Sequence, residues 1–343
     1  MSEIQNEIVT RALDALASRR DLRSDEAAGV LAEIMAGEVS PVQIAGFLIA
    51  LRTKGETVDE LAGLAQTMRA FALPVLVNRD GLVDTAGTGG GRSTFNVSTT
   101  AALIAAAAGC AVAKHGNRSA TSRSGSADLL EALGAKIDLA PEQVARCIEE
   151  VGFGFMFAPG HHQATRFVVP VRRDLAVRTI FNFLGPLTNP AGARRQLLGV
   201  ADAAYLETVA GALARLGVER ALVVSSEDGL DEISTTAATR IIEINGEQID
   251  DYTVKPQDLG VEVGDADALA GGDPAHNAAL TRAVLAGERG PASDLALVNA
   301  GATIYAAGNA DSLADGVEKA RAAVEDGRGT ATLEAFILAT RKP

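Results

Sequence analysis

Apolar residues in the first part of the chain recur at the three- and four-residue spacing of amphipathic helices. Ile4, Ile8, Leu13 and Leu16 mark one such face, and Val30, Leu31, Ile34 and Met35 a second, opened by Ser24-Asp25-Glu26. Ser40-Pro41-Val42-Gln43 combines an N-cap, a proline at the first helical position and a capping-box Gln, and Ile44, Phe47, Leu48 and Leu51 follow on one face. Thr57-Val58-Asp59-Glu60 is another capping box, before Leu61, Leu64 and Met68. The pattern predicts a helical domain over residues 1–72 with no strand in it.

The texture changes at Leu73-Pro74. Leu82 to Thr85, Ala111 to Ala113, Phe155 to Ala158 and Ala221 to Val224 read as short strands, with helices over Ser98 to Ala108 and Pro141 to Val151. Thr239 to Ile244, Asn245-Gly246 and Glu247 to Ile249 read as a hairpin. Strands alternating with helices predict the α/β class: a small α-helical N-terminal domain followed by a large α/β domain, residues 73–343, around a mostly parallel central sheet. The stretch from about 169 to 190 breaks the alternation and is expected to return to the helical domain. There is no internal repeat and no low-complexity tail.

Composition narrows the function classes. Of 343 residues, 47% are hydrophobic and 22% charged, with no Trp, which fits a globular chain with a core of small aliphatics. The net charge of −13 argues against broad contact with nucleic acid or an anionic membrane, so an anion site must be a local positive pocket on an acidic body. Cys110 and Cys147 sit in apolar contexts and read as buried free thiols. No apolar run approaches the roughly 20 residues of a membrane span, and no basic region followed by an apolar core opens the chain, so a cytoplasmic protein is expected.

The richest chemistry lies between Lys114 and Asp128. Three cations, five hydroxyls, an amide and two glycines share 15 residues, a composition suited to surrounding a multiply charged anion. Lys114 supplies a point charge, Arg118 or Arg123 a bidentate fork, and Ser119 and Ser122 neutral donors. Just upstream, Gly87-Thr88-Gly89-Gly90-Gly91 lets backbone N–H groups approach phosphate oxygens at a helix start. By itself that glycine run also fits a plain turn, and it is neither a Walker A motif nor a full dinucleotide fingerprint. Asn96-Val97-Ser98-Thr99 adds an amide and two hydroxyls where capping needs only one. Two such segments suggest a ligand with two phosphate groups, or a phosphate and a diphosphate. Asp231-Glu232, after the Val223-Val224 strand, suits Mg²⁺ or is a solvated acidic turn. An arginine of Val171-Arg172-Arg173-Asp174 either pairs with a substrate carboxylate or forms a surface ion pair. The four histidines show no metal-ligand spacing.

These segments, together with Arg178 to Pro190, Gly229-Leu230-Asp231-Glu232, Asn277-Ala278-Ala279 and Leu297-Val298-Asn299-Ala300, closely resemble the anthranilate phosphoribosyltransferases over essentially the whole chain. The resemblance implies a nucleoside phosphorylase/phosphoribosyltransferase-like fold, a homodimer through the helical domains, and a reaction of tryptophan biosynthesis. In that reaction the amine of anthranilate displaces pyrophosphate from C1 of 5-phosphoribosyl-1-diphosphate (PRPP). Carried over by position, Gly87, Gly90, Gly91, Thr94, Asn96, Val97, Ser98, Thr99, Lys114, His115, Gly116, Asn117, Arg118, Ser119, Ala120, Thr121, Ser122 and Ser126 would contact PRPP. Gly87, Asn117 and Arg172 would contact anthranilate, with His115 and His162 lining its channel, and Ser98, Asp231 and Glu232 would hold Mg²⁺.

The chain departs from the family pattern in three places. Gly91 stands where an Asp is usual, in a loop one residue shorter; Ser225-Ser226 replaces a common His-Gly, and Thr165 a common Met. A pyrimidine nucleoside phosphorylase, which shares the fold and binds no metal, is the alternative enzyme. A nucleic-acid-binding relative is the alternative non-enzyme, disfavoured by the acidic charge.

Overall fold

The computed structural model describes residues 5–119 and 123–342. Four helices open the chain: α1 (Glu7–Ala17), α2 (Ser24–Ala36), α3 (Pro41–Lys54) and α4 (Val58–Ala70). Their starts follow side-chain chemistry. Asn6 accepts from Ile8 and Val9 N–H, and Thr57 and Glu60 form the expected reciprocal box. At α3 only half of the expected box forms. Ser40 accepts from Gln43 N–H, but the Gln43 amide reaches across to Asn6 and Thr10, tying α3 to α1.

The apolar face of α1 also differs from its pattern. Val9, Ala12 and Leu16 are buried while Ile8 is 38% exposed. Leu13 instead lies over Gly46, its Cδ2 3.2 Å from where a β-carbon would stand, so α1 is turned by about one residue to let the small residue admit it.

Beyond Pro74 the chain builds a seven-stranded sheet in the order β3-β2-β1-β4-β5-β6-β7. The strands are β1 (Leu82–Gly87), β2 (Ala111–Gly116), β3 (Phe153–Phe157), β4 (Arg195–Gly199), β5 (Arg220–Ser226), β6 (Thr239–Asn245) and β7 (Gln248–Val254). The first five run parallel and the last two add an antiparallel hairpin at one edge. The central strand β4 carries no strand pattern in the sequence, because Arg195, Gln196 and Gly199 leave only two apolar residues between them.

The remaining helices are α5 (Val97–Ala107), α6 (Ser126–Leu133), α7 (Pro141–Val151), α8 (Ala158–His161), α9 (Val169–Leu175), α10 (Phe181–Leu187), α11 (Leu206–Arg215), α12 (Pro274–Leu285), α13 (Pro291–Ala306), α14 (Leu313–Glu325) and α15 (Arg328–Ala339). Strand residues alternate between two cores. Leu197, Leu222 and Val224 join α5, α13 and α15 on one face, while Leu198, Ala221 and Val223 join α11 and the N-terminal helices on the other. Val168, Val171, Ile180, Phe181, Leu184 and Leu187 pack into that second core beside α2, α3 and α4. The segment carrying α9 and α10 is thereby held between the helical bundle and the sheet.

Candidate active site

At the C-terminal end of β1 the backbone turns through Gly89 and Gly90, both left-handed with φ of 64° and 80°. Gly87 is required for a different reason: a β-carbon there would lie 2.3 Å from Asp231 Oδ2. Gly199, at the end of β4 and not singled out by the sequence pattern, makes the same close approach, to the Asp231 carbonyl. Asp231 is thus seated between two glycines, and its Oδ2 accepts the Gly89 N–H at 2.8 Å. Gly91 faces Gly229 O, 2.4 Å from the position of a β-carbon. The loop lies directly on the 229 turn, where Arg92 N–H donates to Gly229 O at 3.1 Å, and no side chain fits at position 91 without a shift of backbone.

Glu232 accepts the backbone N–H of Ser98 at the start of α5. Burial raises the carboxyls of both Asp231 and Glu232, and Asp231 beside it pushes Glu232 further, well above the usual range. Asp228 organises their loop by accepting from the hydroxyls of Ser226, Ser234 and Thr236, and Arg92 lies 3.5 Å away. Burial alone would raise the Asp228 carboxyl, but these donors outweigh it and hold it below its ordinary value. Ser226, one of the departures from the family pattern, therefore has a structural use.

The block from Lys114 is not one loop. Lys114, His115 and Gly116 finish β2, and Ser126 opens α6. Lys114 is 1% exposed, and its ammonium donates to Thr85 O at 2.6 Å and Ser98 Oγ at 3.3 Å. Burial lowers its pKa, opposed by the charges of Asp84 and Glu232. The Arg118 guanidinium binds Asp128 and Glu131 at 2.8 and 2.6 Å and lies over the Phe157 ring. Asn117 is exposed, with its Oδ1 turned onto Arg118 N–H.

The Asn96 side chain is also taken. It bonds Ser124 twice and Asn277 once, locking the glycine loop to the Lys114 block. Val97 and Thr99 point into the core, leaving Ser98 as the hydroxyl at the helix start, and Thr94 bonds the Phe95 carbonyl. Ser119 N–H is held by Asp128. Ala120, Thr121 and Ser122 lie outside the described residues.

A second set of polar groups is buried on the other side of Lys114. The rings of His115 and His162 are 5.0 Å apart. His115 Nδ1 meets Gly185 O at 3.1 Å, which makes Nδ1 the protonated nitrogen and leaves Nε2 an acceptor. Burial, reinforced by the neighbouring histidines, lowers His115 to about 3 and His162 to about 4, so both are neutral. Arg172 is half-buried with its guanidinium over Phe181, whereas Arg173 makes the exposed pair with Asp174. His115 Nε2, His162 Nε2, Arg172 Nε and Thr179 Oγ1 are all buried without a hydrogen-bond partner. Arg178, to which the sequence assigned no role, donates to Gly89 O at 2.5 Å and Thr88 O at 3.2 Å, and Arg52 of α3 donates to Arg178 O. It ties the helical bundle and the α9–α10 segment to the glycine loop. A cavity of about 280 Å³ beside Arg79 and Arg195 lies at the opposite ends of the strands, away from this chemistry.

The helical bundle domain of the glycosyl transferase family matches residues 10–72, and that family's α/β domain matches residues 79–330. Anthranilate phosphoribosyltransferase of Rubrobacter xylanophilus is 51% identical over 337 residues, 98% of each chain. The crystal structure of the Thermus thermophilus enzyme superposes with a TM-score of 0.91 at 48% identity, covering 96% of this chain and 99% of that one. The Saccharomyces cerevisiae enzyme in complex with PRPP and Mg superposes with a TM-score of 0.90 at 26% identity over 99% of both chains. These likenesses favour the transferase over the phosphorylase, and the chain belongs to the anthranilate phosphoribosyltransferase family.

Proposed function

We propose that this enzyme transfers the phosphoribosyl group of PRPP to the amine of anthranilate with Mg²⁺, releasing pyrophosphate. The observation that carries the reading is that His115 Nε2, His162 Nε2, Arg172 Nε and Thr179 Oγ1 are buried without partners on β2 and on the segments bonded or stacked to it. Native interiors rarely leave such atoms unpaired. The segment holding two of them, Arg172 and Thr179, is bonded to both halves of a phosphate-type cradle, through Gly185 O to His115 and through Arg178 to Gly89. A small molecule with a carboxylate and an amine supplies the missing partners: the carboxylate for Arg172, and amine hydrogens for imidazoles that can only accept at Nε2.

The donor set at Ser98, Asp231 and Glu232 fits Mg²⁺. All three offer hard oxygen donors, and two adjacent carboxylates crowded with a single buried ammonium leave negative charge to be balanced. Among the described residues no larger cluster of metal-ligating side chains exists, which suits an ion that keeps water and substrate oxygens in its shell. When bound, it supplies charge neutralisation for the departing diphosphate.

The residues account for the rest of the chemistry. An aromatic amine is neutral at pH 7, so no strong base is needed to free its lone pair. The barrier lies in separating charge, as the ribose gains cationic character and the diphosphate leaves. Lys114 and the N–H groups of the glycine loop and the α5 start offer fixed donors to that leaving group. Arg172 and the two neutral imidazoles orient the amine, and orientation supplies much of the remaining acceleration.

The assembly we infer is a homodimer through the helical domain. Val42 and Ile49 of α3 and Ile8 of α1 are exposed apolar residues of that domain, Val42 at 81%. No described helix is long and apolar enough to cross a membrane; with a polyanionic substrate that does not cross bilayers, we place the enzyme in the cytoplasm. The deciding experiment follows anthranilate fluorescence. Loss that requires PRPP and Mg²⁺ together supports the reading, and metal-independent phosphorolysis of thymidine would overturn it.

A further inference from the structure

The sheet comes apart between β1 and β2 directly beneath the cradle. Their ladder pairs Leu82 with Ala111 and Val83 with Val112 and then stops. On the outer sides pairing continues, β1 with β4 as far as Gly87 and Gly199, and β2 with β3 as far as Gly116 and Phe157. Backbone groups exposed by such a split inside a protein must find other partners. Three side chains provide them. Asp84 Oδ1 accepts the His115 N–H at 3.1 Å, Asn189 Nδ2 donates to Ala113 O at 2.8 Å, and Lys114 Nζ crosses the gap to Thr85 O at 2.6 Å. Asp84 and Asn189 are joined to each other, Oδ2 to Nδ2, at 2.8 Å. Ala191 N–H donates to Asn189 Oδ1 at 2.9 Å, which fixes the orientation of that amide.

We propose that Asp84 and Asn189 are a positioning pair for the donor site, holding β1 and β2 apart so that Lys114 can span the gap and present its ammonium beside Ser98. The proposal rests on the phosphoribosyl-transfer reading and adds two residues to it. A carboxylate is a costly choice for a site that needs only hydrogen bonds. Asp84 is 1% exposed, and its carboxyl oxygens are held by the His115 N–H and the Asn189 amide. Burial raises its carboxyl, opposed only in part by the charge of Lys114 and then by the bonds from Asn189 and His115. Asn189, in the segment that follows α10, holds the Ala113 carbonyl of β2 and the Asp84 carboxyl of β1 from one amide.

The test is Asp84→Asn. The new amide still accepts from His115 N–H, so the acceptor side is spared, but its Nδ2 opposes the Asn189 Nδ2 and the charge is gone. The KM for PRPP and its Kd by calorimetry with Mg²⁺ are expected to rise about tenfold or more, while the KM for anthranilate moves less than about threefold. Asn189→Ser, which leaves β1 untouched, gives the same donor-selective direction and keeps the test open should Asp84→Asn not fold. Lowered melting temperature with both KM values unchanged would show a merely structural pair and overturn the proposal. Failure of the wild-type enzyme to bind PRPP would instead sink the transferase reading itself.

Discussion

Replacing Gly87 by Ala tests whether the glycine loop serves close approach or flexibility. The new β-carbon would stand 2.3 Å from Asp231 Oδ2 and 3.1 Å from its Cγ. Ordinary contact needs about 3.5 Å, so the carboxylate must retreat by about 1 Å. That retreat strains or breaks its bond from Gly89 N–H, now 2.8 Å. A hydrogen bond to a charged group is worth about 1.5–3 kcal/mol, equivalent to roughly 10- to 100-fold in rate, and a displacement of this size at a reacting centre costs a similar factor. Initial rates of anthranilate consumption, measured across PRPP and Mg²⁺ concentrations, should show kcat/KM for PRPP falling by that factor and more Mg²⁺ being needed for half-maximal rate. Gly89→Ala is the control. Its φ is +64° and nothing lies within 4 Å of the added carbon, so it bears only backbone strain of about 1 kcal/mol. It should lower stability and leave kcat/KM within about threefold. Unchanged metal dependence in Gly87→Ala, or equal damage from Gly89→Ala, would refute the reasoning.

Three further outcomes are expected. Arg172→Ala should raise the KM for anthranilate about tenfold or more while the KM for PRPP stays within about threefold, as loss of a charge-assisted contact requires; equal loss of both would reject the role of this half-buried arginine. Asp231→Ala combined with Glu232→Ala should abolish Mg²⁺-dependent turnover by at least about 100-fold, and rates still rising with Mg²⁺ would reject the metal assignment. His115 and His162 are lowered from 6.5 to about 3 and about 4, so the unfolded chain takes up protons that the native state refuses as pH falls below 6.5. Stability is then lost on acidification through the window from pH 6.5 to about 4, by about 1.4 kcal/mol per pH unit for each ring. Urea unfolding of His162→Gln should show a shallower acid slope than the parent, and an identical slope would show the ring to be charged or exposed.

Much of the architecture was legible in the chain. Caps at Ser40 and Thr57, helical spacing through residue 68, and the apolar runs of β1, β2, β3 and β5 are local signals, and local physics decides them. Legibility failed where side chains serve a distant partner. β4 is central to the sheet, yet its Gln196 is polar because it bonds Pro186 O, so a buried strand reads as a loop. α1 took a neighbouring face because Gly46 on α3 left room for Leu13, which no periodicity within α1 could reveal.

By itself the sequence determined the class of fold, the anion-binding chemistry of the two cradle segments, the acidic pair and the family pattern. These depend on residue type and spacing along one strand of chain. Tertiary structure alone decided which of those groups are free to act. It paired Arg118 with Asp128 and Glu131, Asn96 with Ser124 and Asn277, and Lys114 with Thr85 and Ser98, and it left polar atoms of Arg172, Thr179 and two neutral imidazoles without partners. It also brought Asp84 and Asn189 together from 105 residues apart. A side chain's chemistry is local, but whether it is satisfied is settled by whatever the fold places within 3 Å of it.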